Sequence, residues 1–260
     1  MDIKRYSEKM QTMISPPCEQ VEAGKIAAGA IALGKELCKD CIDGVRLDRE
    51  IETFIKDRGG NPALKGYHPP FTHLTYQHAI CLSLDNEVVH GPPIKLVGTG
   101  SLITIDLVVE YQGWHADTAR TFTWSDDHQK KVFAGASMSI FAGALRAVIQ
   151  EQPMDLFGAT IEQVSTQAGM GVLKQYCGHG IGQRVHMEPQ VLNYAGNNGN
   201  RFEVGRAYAV EPILANSMAY NITHDKDGWT VVADCLTSHN EDTLFIGKDG
   251  IINLTGDHNG

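Results

Sequence analysis

The stretch Ile103-Thr104-Ile105-Asp106-Leu107-Val108-Val109-Glu110-Tyr111-Gln112-Gly113-Trp114-His115-Ala116-Asp117-Thr118 decides how this chain is read. Its first half is apolar and rich in β-branched residues, as a buried strand requires. Tyr111-Gln112-Gly113 carries turn chemistry, so a returning strand to about Thr123 is expected. Asp106 interrupts the apolar run, and a lone carboxylate there would cost several kcal/mol unless paired or ligated. With Tyr111-Gln112 as a two-residue loop, Glu110 faces Gly113 and Asp106 lies directly opposite Asp117. With the loop shifted by one residue, the two acids become diagonal neighbours on one face. Either register projects them together. Adjacent carboxylates repel and raise one another's pKa, which a divalent cation between them relieves. A pair of solvated or capping acids is the plain structural alternative.

Further along the chain the same chemistry recurs. In Cys177-Gly178-His179-Gly180-Ile181-Gly182 a histidine is flanked by glycines, which leave it open to close approach. His186 follows in His186-Met187-Glu188-Pro189. Glu211 ends the strand-like run Tyr208-Ala209-Val210, and Glu241 opens the penultimate strand in Asn240-Glu241-Asp242-Thr243. Two Asp, two Glu and one His suit a divalent Mn, Fe(II), Co or Zn ion. Four carboxylates would be neutralised by two such ions, so a loaded site is near neutral and an empty one strongly repulsive.

The surrounding sequence supplies the scaffold. Helices are expected over 20–42, with Ile26, Ala30, Leu33, Leu37 and Cys41 on one face, and over about 47–58, ended by Gly59-Gly60-Asn61-Pro62. A third is expected from Asp126-Asp127 to about Ile149, and a fourth from near Thr160 with Ile161, Val164 and Ala168 on one face. Two helices, strands with a hairpin, two helices and strands again make two halves, about 1–125 and 126–260, of one catalytic domain. Cys38-x-x-Cys41 lacks the second pair that a zinc site needs and reads as helix end.

A net charge of -9 argues against direct nucleic-acid binding. The polar N-terminus lacks the apolar core of a signal peptide, and no apolar run is long enough to span a membrane, so cytoplasmic residence is expected.

Taken in order, several segments resemble type I methionine aminopeptidases. They are Asn86-Glu87-Val88-Val89-His90-Gly91, Ile105-Asp106 with His115-Ala116-Asp117-Thr118, Tyr176-Cys177-Gly178-His179-Gly180, Glu188-Pro189, Glu211-Pro212, Asp227-Gly228-Trp229-Thr230 and Glu241-Asp242-Thr243. The resemblance implies an α+β, pita-bread fold whose two pseudo-symmetric halves enclose a dinuclear site on a curved antiparallel sheet. It implies Asp106, Asp117, His179, Glu211 and Glu241 as ligands of two divalent ions, with Asp117 and Glu241 bridging. It also implies that His90 and His186 flank the scissile bond. From these roles, Glu211 is expected to shuttle the proton, His186 to donate to the oxyanion and His90 to position substrate. The expected substrates are N-termini of peptides and nascent chains carrying Met and a small second residue. A monomer working near the ribosome is the expected state. The readings set against this are a Xaa-Pro aminopeptidase or dipeptidase of the same fold, and a pita-bread protein without activity.

The sequence departs from the family pattern at two places. Val185 stands where an aromatic commonly precedes the second histidine, and residues 69–78 are an insertion. Tyr67, Cys81, Val185 and Trp229 are expected to wall the pocket. The loss of a ring at 185, with Phe71 or Tyr76 to refill the space, predicts a narrowed preference for Met.

Overall fold

The computed structural model describes residues 15–68, 74–196 and 199–256. Its helices are α1 (Cys18–Leu37), α2 (Gly44–Lys56), α3 (His128–Leu145) and α4 (Asp155–Gln167). Strands of the first part are β1 (Ile42–Asp43), β2 (Asn61–Pro62), β3 (Cys81–Leu84), β4 (Glu87–Val89), β5 (Leu96–Val97), β6 (Leu102–Tyr111) and β7 (Trp114–Thr123). The second part holds β8 (Gly171–Val172), β9 (Cys177–Ile181), β10 (Met187–Leu192), β11 (Ala207–Val210), β12 (Ile213–Ala215), β13 (Ile222–His224), β14 (Val231–Ala233), β15 (Thr237–His239), β16 (Asp242–Gly247) and β17 (Gly250–Asn253).

Every strand pair described is antiparallel. β6 pairs with β2, β3 and β7, while β10-β9-β11-β16-β17 form a second sheet. One core lies between α1, α2 and the first sheet, built from residues such as Ile26, Ala30, Leu47, Ile51, Ile105 and Leu107. The other lies between α3, α4 and the second sheet and includes Phe141, Phe157, Ile161, Tyr208 and Leu244. Each sheet buries one face under a helix pair, and the opposite faces are left to form a site.

The hairpin takes the second of the two expected registers. Tyr111 pairs with Trp114, so the loop is Gln112-Gly113, and Asp117 lies opposite Val108 while Asp106 lies opposite Ala119. Both loop residues have positive φ, +50° and +86°. A bulky Tyr111 would resist that conformation, whereas glycine accepts it freely, so the turn forms one residue later. Asp106 and Asp117 are therefore diagonal neighbours on one face.

The helices also differ from expectation in their bounds. α1 stops at Leu37, with Cys38 as its buried cap residue, and Cys41 lies exposed beyond it. α2 begins earlier than expected because the Asp43 side chain accepts from the Arg46 backbone N–H. Asp127 caps α3 in the same way, through Gln129 and Lys130, but that helix ends at Leu145. α4 begins at Asp155, and its inner face is Phe157, Gly158, Ile161 and Ser165. Val164, expected to be inward, is exposed.

The two sheets meet along β7 and the segment entering β16. Ala119 and Glu241 form an antiparallel bridge. Arg120, buried on β7, forms an ion pair with buried Asp242 and donates to the Glu241 carbonyl. Asp242 also accepts from Thr255 and Asn253. Removing one partner of a buried pair leaves an uncompensated charge. Arg120→Ala is therefore expected to cost about 3–5 kcal/mol, measured as the shift in urea denaturation.

Candidate metal centre and active site

One cavity of about 610 Å³ opens where the sheets meet. Asp106, Asp117, His179, Glu211 and Glu241 all line it, as do His90, His186, Tyr67, Cys81 and Trp229. The first five arrive from five different strand or strand-end positions; backbone pairing fixes four of them, and Asn193 Nδ2 donates to the Glu211 carbonyl at 3.0 Å. Asp117 N–H donates to Thr243 Oγ1 at 2.9 Å, and Thr243 Oγ1 donates back to the Asp117 carbonyl at 2.9 Å. Thr118 Oγ1 donates to the Glu241 carbonyl at 2.9 Å. These contacts join the Asp117 strand to the Glu241 segment.

His179 sits mid-strand in β9, between β10 and β11. Its flanking glycines serve packing rather than the approach of a ligand. A Cβ at Gly178 would lie 2.2 Å from the Ala209 carbonyl oxygen, and one at Gly180 would lie 2.5 Å from that of Glu188. Only glycine lets the neighbouring strands close on His179.

One ligand atom each from Asp117, His179 and Glu241 lie within 4.8 Å of one another. His179 Nε2 is also 3.6 Å from Glu211 Oε1. Asp117 Oδ1 and Glu241 Oε1 are buried without a hydrogen-bond partner. Burial and then neighbouring carboxylates push the acids of Asp117 and Glu241 well above the usual range. Burial pushes Asp106 up to about 6. Buried, mutually repelling and incompletely bonded carboxylates are unfavourable alone and favourable around a cation. The donor set therefore fits a divalent metal.

His90 and His186 sit beside this cluster. Burial, then neighbouring histidine, holds His90 down at about 4. Partial desolvation in the cavity, then neighbouring His179, lowers His186, whose side chain stays partly exposed. Both imidazoles are thus neutral at working pH, and a neutral ring keeps one N–H to donate. Tyr67 OH lies 3.1 Å from His186 Nδ1, with the rings 5.6 Å apart. His90 has φ +63°, a left-handed conformation at the end of β4 that turns the chain into the cavity wall.

The structure places two of the residues expected at the pocket. Val185 is half-buried in the connection between β9 and β10 and is not among the residues lining the cavity. Tyr76 does line the cavity, packed edge-on to Trp229 with ring centres 5.0 Å apart. Its hydroxyl donates to the carbonyls of Ile80 and Gly91 at 2.9 and 3.1 Å. Phe71, the other candidate to refill the space, lies outside the described residues.

Sequence reasoning missed His239. It is buried beside the cluster, with Nε2 3.6 Å from both Glu211 Oε2 and Glu241 Oε2. Burial opposes a charged ring here, but Glu211 and Asp106 outweigh it and raise His239. A signal was present: His239 precedes Glu241 by two residues, and extended chain places alternate side chains on one side.

The pattern and geometry agree with known proteins. The profile of metallopeptidase family M24 matches residues 20–248. A methionine aminopeptidase of Clostridium perfringens is 33% identical over 235 residues, 88% of this chain and 91% of that protein. The crystal structure of a methionine aminopeptidase from Thermotoga maritima superposes with a TM-score of 0.84 at 26% identity, over 94% of this chain and 99% of that one. A prolidase from Pyrococcus furiosus shares the fold at a TM-score of 0.66 and 17% identity, with 99% of this chain matched but only 69% of the prolidase. The fold is the α+β pita-bread fold. The chain belongs to metallopeptidase family M24, on its methionine aminopeptidase side.

Proposed function

We propose that this chain removes the N-terminal methionine from peptides and nascent proteins, using two divalent ions held by Asp106, Asp117, His179, Glu211 and Glu241. The observation that carries the reading is the set of buried, raised and partly unbonded carboxylates beside His179 at the base of the cavity. Asp117 and Glu241, each with one oxygen free of hydrogen bonds, would hold the ions together with Asp106, His179 and Glu211. Divalent ions so placed lower the pKa of a water and polarise a carbonyl.

The remaining steps fall to the chain's own groups. Glu211, 14% exposed at its side chain, reaches the cavity and can carry a proton from water to the leaving amine. His186, with Tyr67 at its Nδ1, presents Nε2 towards substrate and donates to the developing oxyanion when that nitrogen carries the proton. His90 positions the residue after the scissile bond. Tyr76, Trp229 and Cys81 supply apolar wall for an unbranched side chain. Six unpaired cysteines suit a reducing cytoplasm.

The test is a peptide series assayed with Mn, Co or Zn supplied. Met-Ala, Met-Gly and Met-Ser peptides are expected to be cut well, and Met-Lys, Met-Phe and Xaa-Pro peptides poorly. Equal rates across the series, or a preference for Xaa-Pro, would contradict the assignment.

A further inference from the structure

His239 is 4% exposed and sits on β15, two residues before Glu241. Neither ring nitrogen has a hydrogen-bond partner. An imidazole has at least one N–H to satisfy, and leaving buried polar atoms unpaired costs about 1–3 kcal/mol each. The ring is not loosely held. Its backbone N–H donates to Thr121 Oγ1 at 2.8 Å, and that hydroxyl donates to the His239 carbonyl at 2.9 Å. β15 pairs with β12, setting His239 opposite Ile213. A rigid backbone thus aims an unsatisfied nitrogen at two carboxylates.

The spacing says what fills the gap. Nε2 is 3.6 Å from Glu211 Oε2 and 3.6 Å from Glu241 Oε2, too far for hydrogen bonds. Donors bound to one ion at about 2.0–2.2 Å stand roughly 3.0–3.6 Å apart at the angles common in protein sites. His179 shows the same relation, with Nε2 3.6 Å from Glu211 Oε1 and 3.9 Å from Asp117 Oδ2. His239 Nε2 thus stands as far from Glu211 and Glu241 as His179 Nε2 stands from Glu211, beside the trio of Asp117, His179 and Glu241 rather than within it.

We propose that His239 Nε2 is a second imidazole donor to the metal centre, a sixth protein ligand beyond the two Asp, two Glu and His179. The inference rests on the metal-centre reading given above and deepens it. Its chemical consequence is selectivity. An added nitrogen donor favours Zn or Co over Mn, because imidazole suits the former and carboxylate the latter.

Zinc and manganese binding to the full chain, wild type, Asp117→Asn and His239→Gln, would be measured by titration calorimetry, alongside a crystal structure of the zinc-loaded wild type. The expected structure has His239 Nε2 within about 2.0–2.2 Å of an ion. His239→Gln is expected to weaken zinc by at least about tenfold and manganese by less. A zinc-loaded structure with Nε2 more than about 3 Å from any ion overturns the inference, even if His239→Gln does not fold. So does unchanged zinc affinity and selectivity in His239→Gln while Asp117→Asn loses metal, an outcome that leaves the metal centre itself standing. Failure of the wild type to bind either ion removes the metal-centre reading and this inference with it.

Discussion

Asp117→Asn and Glu241→Gln are each expected to lower kcat/KM on a Met-Ala-Ser peptide by orders of magnitude and to reduce bound metal, as counted by elemental mass spectrometry. Each variant exchanges an anionic oxygen for an amide at a position where one oxygen has no protein partner. The same carboxylates make stability depend on metal and pH together. Burial raises Asp106 to about 6, with Asp117 and Glu241 raised further. A carboxyl whose folded pKa lies above its unfolded value of about 3.9 favours the fold fully only below about pH 3.9, and that contribution fades as pH rises through the folded value. The metal-free chain therefore carries a penalty from Asp106 that grows between about pH 4 and 6, while the penalty from Asp117 and Glu241 keeps growing above that interval. Metal removes the penalty and competes with protons for the same oxygens, so the rise in Tm on adding Mn or Zn should grow over that interval. At a hundredfold excess over Kd the stabilisation should be about 2.7 kcal/mol. A rise in Tm that is the same at pH 4 and pH 7 would show that these carboxyls do not hold the ion.

His186→Ala gives the opposite pattern. It should keep its metal and its Tm response while kcat falls by about 10²–10³, the loss on removing an oxyanion donor, or about 2.7–4 kcal/mol of transition-state stabilisation. The geometric ground is that His186 lines the cavity without facing two carboxylates as His179 and His239 do, and pairs instead with Tyr67. Burial and neighbouring histidine lower its pKa, so the ring donates as a neutral imidazole. Single-turnover kinetics separates this from a binding defect, since KM should change little. Loss of metal in step with loss of activity would make His186 a ligand and reverse the assignment.

Most of the candidate site was legible because its residues violate local patterns. Asp106 interrupts an apolar strand, Gly178 and Gly180 interrupt β9 around a histidine, and Glu211 and Glu241 stand where strands end or begin. Such departures survive only if another part of the structure compensates for them, and so they mark function. The helices were legible from their period, though not their ends. Those depended on caps such as Asp43 and on which face met the sheet, as exposed Val164 shows.

The amino-acid sequence by itself determined the hairpin, the shared face of Asp106 and Asp117, and a donor set suited to divalent metal, because all three follow from alternation and side-chain chemistry over short distances. Only the structure chose between the two registers, with Gln112-Gly113 as the loop, because either register puts both acids on one face. It alone put Tyr76 against Trp229. It also brought His239 to Glu211, across a sequence separation that no local rule spans, because the pairing of β12 with β15 sets that contact.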